Sequence, residues 1–513
     1  MGRALRRGGL ALAACALAAC ANEGERALII VNQNSPVSVA IGERYAERRD
    51  VPEQNILALP IETNDPTLTT ADHETISREG YEAQIRDPIA SYLRGRDDAD
   101  EIDFLITTKG IPLRVAGVRG GTPRDWLRNA TVASVDSELM LLFTDSDGLA
   151  GPVANPFYQS DLSFQDFRRA RPHEAPRFLV ARLTGPLAST DDPGAVPEAI
   201  ERLLRIAQDP AEENPWLIDA DSGHKGAYAA ADRTLLDAAA STLRARGLPV
   251  QYDQDAAFIG ATELDEAAPP PQRLQGYASW GSNDRSDAGP PFYGRIGATL
   301  YPGRFGPRSV AIDFVSTSAR TFTAPPSYGQ SLISDLLALG AGGVGGHVDE
   351  PTLATVHRPH LLFERYAAGT AAVEAYWASV PVLGWMHVWV GDPLMRLAAA
   401  SGEATPDRDG DGIVDGEDNC THIPNPRQRD TDSDGYGNRC DADINNDGLV
   451  STSWGSTYPL GERGDLEWIG LTVHSEIYDE NHDLNGDGQV DAVDLSIAQL
   501  GLYQAPGPSG LRP

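Results

Sequence analysis

Apolar residues follow two alternating rhythms through most of this chain: short unbroken runs, and longer stretches at helical spacing. Residues 27–33, ALIIVNQ, form an unbroken run of the kind found in strands buried on both faces. Asn34, Ser35 and Pro36 supply a cap and a first-turn proline ahead of VSVAIGERYAERR, whose apolar positions recur at helical spacing. NILALPI reads as a second strand. Ser77 opens a helix through SREGYEAQIRDPIASYLRG, and IDFLITTKGIPLRV is a third strand running into a loop. The scheme repeats with RFLVARL, PEAIERLLRIAQ, WLIDAD, a long helix from about Ala227 to Arg246, and PVQYDQ. Such alternation predicts an α/β fold over residues 27–400, with three layers and a largely parallel sheet covered on both faces.

The last part of this region holds GYASWGSND, SVAIDFVSTSARTF, GQSLISDLLALGAGGVGGHVDEPTL and GWMHVWVGDPLMRL, each a strand or helix ending in a polar or Gly-rich turn. Ligands of open α/β sheets bind at such strand ends. Lys109, Asp136, Asn283, Asp284, Arg320, His347, Glu350 and Asp392 all fall there and form the candidate pocket. Other constellations carry less. His357 and His360, with Glu364 four further on, have a spacing that can point imidazoles at one metal, but Pro359 lies between them and there is no HExxH. Ser279, Ser282, Ser316 and Ser318 with His347 and Asp349 allow a Ser-His-Asp arrangement that no GxSxG elbow supports. GAGGVGG follows a helix instead of opening one, so tight helix-to-strand packing explains it better than a phosphate cradle.

Near residue 400 the apolar rhythm stops. SGEATPDRDG is a linker, and residues 403–513 carry 23 Asp plus Glu against 6 Arg and no Lys, within a chain of 513 residues and net charge -32. This acidic balance repels nucleic acid and anionic membranes and favours multivalent cations. A calcium loop takes oxygen ligands from positions 1, 3, 5, 7, 9 and 12, with glycine at 6 for the turn. Asp407, Asp409, Asp411, Ile413, Asp415 and Asp418 fit, with Gly412 at position 6. The pattern returns as Asp430, Asp432, Asp434, Tyr436, Asn438 and Asp441, and again as Asp483, Asn485, Asp487, Gln489, Asp491 and Asp494. A further copy begins Asp443, Asn445, Asp447, Leu449, Ser451, but position 12 is Trp454; Asp465 can serve if eleven residues loop out. Crowded carboxylates repel one another, and a hard divalent cation needing six to eight oxygens neutralises them.

The start of the chain sets the compartment. Arg3, Arg6 and Arg7 precede an apolar run of about twelve residues, a secretory leader too short to span a bilayer as a mature helix. Outside it the cysteines are Cys420 and Cys440, which an oxidising compartment would pair, closing a loop worth roughly 3 kcal/mol in the chain-entropy model.

Leu17-Ala18-Ala19-Cys20 resembles the lipobox of bacterial lipoproteins, which implies cleavage after residue 19 and lipidation of Cys20; ordinary cleavage after Ala21 and a second box ending at Cys15 are the alternatives. Residues 403–441 resemble thrombospondin type 3 repeats, and 442–503 resemble a type I dockerin, a duplicated calcium loop and helix that docks onto cohesin domains. Two departures stand out: the insertion after Val450, and Ala492 with Val493 where dockerins carry a small polar recognition pair. The large domain resembles an uncharacterised family of secreted bacterial proteins through segments such as TKGIPLRV, GYASWGSND and VGDPLMRL. More distantly it is similar to caspase-like, gingipain-type peptidases. Those need a His-Gly strand end and a cysteine nucleophile, whereas Trp280-Gly281 stands here and no cysteine occurs between residues 21 and 419.

The sequence thus predicts an extracytoplasmic calcium-binding protein, either lipid-anchored at the outer membrane or cell surface, or secreted. Its tail is a calcium-rigidified stalk or docking module for a cohesin-like protein, another surface protein or a polysaccharide, and residues 504–513 are a disordered end. Membrane contact comes only through the lipid, and nucleic acid is excluded as a partner. The alternative is an extracellular hydrolase, peptidase-like or polysaccharide-acting and without a cysteine nucleophile, displayed on that stalk. An exposed apolar patch near Trp454 and Trp468 would favour docking.

Overall fold

A computed structural model describes residues 23–62, 74–118, 130–185, 195–209, 211–212, 214–220, 223–255, 273–281, 302–323, 330–397, 409, 413, 418–451, 464–475, 478–502, 504–509 and 511. The leader with Cys20, together with Ser282, Asn283, Asp284, Asp407, Asp411, Asp415 and Trp454, lies outside the described residues.

The apolar runs pair into one ten-stranded sheet: β1 (Ala27–Asn32), β2 (Ile56–Leu59), β3 (Phe104–Thr108), β4 (Leu179–Leu183), β5 (Trp216–Asp219), β6 (Val250–Asp253), β7 (Leu274–Ser279), β8 (Phe305–Asp313), β9 (Gly343–His347) and β10 (His387–Gly391). Their spatial order is β6-β5-β7-β8-β9-β10-β4-β3-β1-β2. β10 runs antiparallel to β9 and meets β4 at a single bridge, Val390 with Arg182, while the other neighbouring strands pair parallel, so the fold is α/β with a mostly parallel sheet.

Local chemistry sets the elements. Ser35 accepts the N–H of Ser38 at 3.3 Å, Pro36 occupies the first turn, and the helix Pro36–Arg49 ends where Asp50 takes a left-handed φ of 51°. The long helix forms as Ala227–Ala231, a π-turn Asp232–Leu236, and Asp237–Ala245. The glycine run becomes β9, where bare backbone accommodates rings. A Cβ on Gly343 would stand 2.3 Å from the Trp389 ring, and one on Gly345 2.3 Å from that of Tyr376. Gly346 touches Ile333 of the preceding helix, Ile333–Ala338.

In the C-terminal region, helices Asp465–Ser475 and Ala492–Leu500 pack on each other over a small core of Ala442, Val450, Ile469, Leu484 and Ala498. Helix Ala492–Leu500 also packs on Ala227–Ala231, and Leu500 joins the main core. Residues 504–509 correct the expectation of a disordered end. The N–H of Gly507 donates to Cys440 O at 2.9 Å, that of Thr421 to Pro508 O at 3.0 Å, and Ser509 Oγ to Gly435 O at 2.7 Å. A segment with little apolar core leaves many backbone groups to satisfy, and the returning chain supplies partners for them. Among the described residues, no helix is long and apolar enough to cross a membrane.

Candidate functional site

The acidic loops share one hydrogen-bond register. In the loop starting at Asp443, the N–H of Gly448 donates to Asp443 Oδ2 at 2.6 Å, that of Asp447 to Asn445 Oδ1 at 2.9 Å, and that of Leu449 to Asp447 Oδ1 at 3.1 Å. In the loop starting at Asp483, Gly488 donates to Asp483 Oδ2 at 3.0 Å, Asp487 to Asn485 Oδ1 at 2.7 Å, and Gln489 to Asp487 Oδ1 at 2.9 Å. Gly448 and Gly488 hold φ of 90° and 88°, the left-handed region that position 6 requires.

Asp465 closes the interrupted loop. Its Oδ1 accepts Asn445 N–H at 3.1 Å, as Asp494 Oδ1 accepts Asn485 N–H at 3.1 Å. Its Oδ2 accepts Ser451 N–H at 2.8 Å, as Asp494 Oδ2 accepts Asp491 N–H at 2.9 Å. The residue that fills position 12 in space is thus Asp465. The third described loop gathers carboxylate oxygens of Asp430, Asp432 and Asp434 within 4.8 Å of one another. Asn438 Oδ1 instead accepts Thr431 N–H at 2.9 Å. Burial first, then neighbouring aspartates, push Asp441 up to about 8, and burial pushes Asp443 up to about 6. These groups bear the charge conflict that a cation relieves. Of the first loop, Asp409 and Asp418 are buried, and Cys420 and Cys440 form a disulfide with Cα atoms 5.7 Å apart.

Asn283 and Asp284 of the candidate pocket lie outside the described residues, and the other six are spread over separate contacts. Lys109 Nζ donates to Phe322 O at 3.1 Å and to Thr323 Oγ1 at 3.2 Å, beside Glu74. With Arg182 it lines a cavity of about 10 Å³, the lower limit for one water. Asp136 is a buried partner of Arg182, 2.6 and 3.0 Å away. Arg320 donates to the carbonyls of Thr317 and Gln330, and Glu350 N–H to Asp349 Oδ1. Asp392 sits against Arg49 and Tyr45 on the first helix.

Among the described residues the serine arrangement does not assemble either. Ser318 Oγ accepts the backbone N–H of His347 at 3.4 Å, Ser279 Oγ accepts Gly281 N–H at 3.2 Å, and His347 Nδ1 donates to Val315 O at 3.1 Å. What lines the carboxyl edge of one half is a row across neighbouring strands, Asp253, Asp219, Ser279 and Asp313, paired in register. Asp219 and Asp313 are fully buried. Just beyond this row, Asp232 contacts both His224, at 2.8 Å, and the Trp280 indole N–H.

Three imidazoles converge beside that row: His347 at the end of β9, His387 at the start of β10, and His357 after the turn Leu353–Thr355. Their ligating nitrogens lie within 4.8 Å of one another. The rings of His347 and His357 stack at 4.7 Å, and His387 meets His347 edge-on at 4.9 Å. His357 Nε2 donates to Asp313 O at 2.7 Å. Burial drives His347 down to about 4 and holds His357 and His387 well below the ordinary imidazole value, each lowered further by its neighbours. The three are therefore neutral at pH 7. The sealed His347 Nε2 has no hydrogen-bond partner, at about 1–3 kcal/mol for an unmet group, and the His387 nitrogens have none in good geometry, though the Thr355 carbonyl opposes the lowering of His387.

No family model, curated protein or solved structure matches the chain.

The metal set His357, His360 and Glu364 read from spacing is corrected by these positions. His360 turns to the cavity it shares with Arg439 and Cys440, and Glu364 accepts from Arg246. Pro359 begins the helix Pro359–Ala367, so His357 precedes it and is free to point at β9 and β10. The sequence carried no local signal for His387. For Asp219 and Asp313 a signal existed, a lone acid ending a buried apolar run in WLID and VAID.

Proposed function

We propose that this is an extracytoplasmic calcium-binding protein whose tail is a docking module organised by calcium and seated on its own α/β domain. The observation that carries this reading is the shared register of the loops at Asp443 and Asp483, with Asp465 in the place of Asp494. Ligand types at positions 1, 3, 5 and 12, glycine at 6, and paired loop-helix units are what such sites are built from. The residues that would hold the ions are the aspartates and asparagines named above, with the carbonyls of Ile413, Tyr436, Leu449 and Gln489 at position 7. Trp468 and Leu471, three apart on helix Asp465–Ser475, are 43% and 40% exposed and give the module an apolar face suited to a protein partner. Lipidation at Cys20 and a cohesin-like or polysaccharide partner belong to the same proposal.

Calorimetric calcium titration of the full chain tests it. Heat of binding and a rise in melting temperature are expected; no heat and an unchanged melting curve in excess chelator would sink it.

A second reading, a hydrolase without a cysteine nucleophile and of caspase-like architecture, draws support from the row Asp219, Ser279 and Asp313 at the carboxyl edge where α/β sheets place ligands. A screen of peptide and glycoside substrates against Asp313→Asn decides it: hydrolysis by the parent chain, lost in the variant, is the expected result.

A further inference from the structure

The three buried histidines play no part in the calcium reading, and their hydrogen bonds show what they are set up to do. A carbonyl oxygen only accepts, so Nδ1 of His347, bonded to Val315 O, must carry the proton, and so must Nε2 of His357, bonded to Asp313 O. Each bond leaves the other ring nitrogen as a lone pair. His347 Nε2 meets no donor, and His357 Nδ1 has only a long 3.4 Å contact from the Tyr376 hydroxyl. His387 adds a ring beside the Thr355 carbonyl, and since a neutral ring protonates one nitrogen, the other is left as a lone pair. Lone pairs on three imidazoles thus face one another in a sealed space. This is also the usual outer arrangement of metal-binding histidines, in which the non-ligating N–H is fixed by a carbonyl.

We infer that His347, His357 and His387 form a binding site for a transition-metal dication of the zinc class, tying the end of β9 to the start of β10 and to the turn before His357. Neutral imidazole is a donor that zinc, cobalt and nickel accept and that calcium does not favour, so the site is chemically separate from the acidic loops. A tetrahedral ion with zinc–nitrogen bonds of about 2.0–2.1 Å places ligand atoms about 3.3 Å apart, so the rings draw in from their present spread of up to 4.8 Å. The ion takes the place of the long Tyr376 contact. With all three rings wholly buried, it serves the structure of the antiparallel pairing of β9 with β10.

The test uses the full chain purified without a polyhistidine tag and stripped with chelator. Calcium is then added to fill the oxygen sites before cobalt is titrated. About one cobalt per chain with the intense visible bands of a low-coordinate, nitrogen-ligated ion, displaced by zinc, is expected. His387→Gln and His347→Gln should each abolish these bands, while His360→Gln, a buried histidine outside the cluster, should retain them. If either variant fails to fold, X-ray absorption of the zinc-loaded parent chain decides, with imidazole scattering as the expected result. Cobalt that shows only the weak bands of oxygen coordination, an absorption spectrum without imidazole, or folded His387→Gln with undiminished bands would each overturn the site.

Discussion

Asp335 gives the large domain a pH signature of its own. Its Oδ2 is sealed from solvent without a hydrogen bond, and burial, opposed in part by Arg320, pushes the carboxyl group up to about 8. An unfolded aspartate titrates near 3.9. Between these values the folded state holds a proton that the unfolded state has lost, so stability falls as pH rises from about 4 to about 8. The slope is at most about 1.4 kcal/mol per pH unit for one group. Asp335→Asn should flatten this part of the stability profile, measured by urea denaturation across the range; an unchanged slope would assign it to other groups. The Asp136 carboxylate neutralises buried Arg182, and Asp136→Asn should cost about 3–5 kcal/mol by stranding that charge, read in the same denaturation assay.

At the scale of elements, the interrupted acidic loop makes the sharpest prediction. Removing residues 454–464, eleven in all, brings Asp465 to position 12 of an uninterrupted loop. The shortened chain should keep its calcium stoichiometry, whereas Asp465→Ala in the parent chain should lose about one ion per chain by calorimetry. The loops were legible because their ligands lie within twelve residues of one another and position 6 demands glycine. Strands and helices were legible for the same reason of short range. The unbroken run ALIIVN became β1, and Ser35 with Pro36 began the following helix. The candidate pocket was not legible, since grouping Lys109, Asp136 and Asp392 by their place at strand ends assumes one strand direction, whereas β10, which Asp392 follows, runs antiparallel to β9.

For the whole molecule, the decisive contact is Arg358. Its guanidinium donates to Ala354 O at 2.7 Å and Val356 O at 2.9 Å, and reaches Leu500 O at the end of helix Ala492–Leu500. A cation at a helix carboxyl end satisfies carbonyls that no further turn can reach. One side chain thus joins the tail to the turn that carries His357. Arg358→Ala should lower stability by about 2–4 kcal/mol and speed amide exchange in residues 492–500 first. Exchange unchanged there would show that the apolar contact of Leu500 alone holds the tail in place.

By itself the sequence determined the alternation of strands and helices, the acidic loops and the exclusion of thiol chemistry. Each of these rests on residue type or on spacing within a few turns of chain. Only the tertiary structure decided that β10 runs antiparallel to β9, that Asp465 returns across the insertion, and that His347, His357 and His387 meet. These depend on which distant segments bury one another. Periodicity along a chain fixes the face an element hides and says nothing of the partner it hides against.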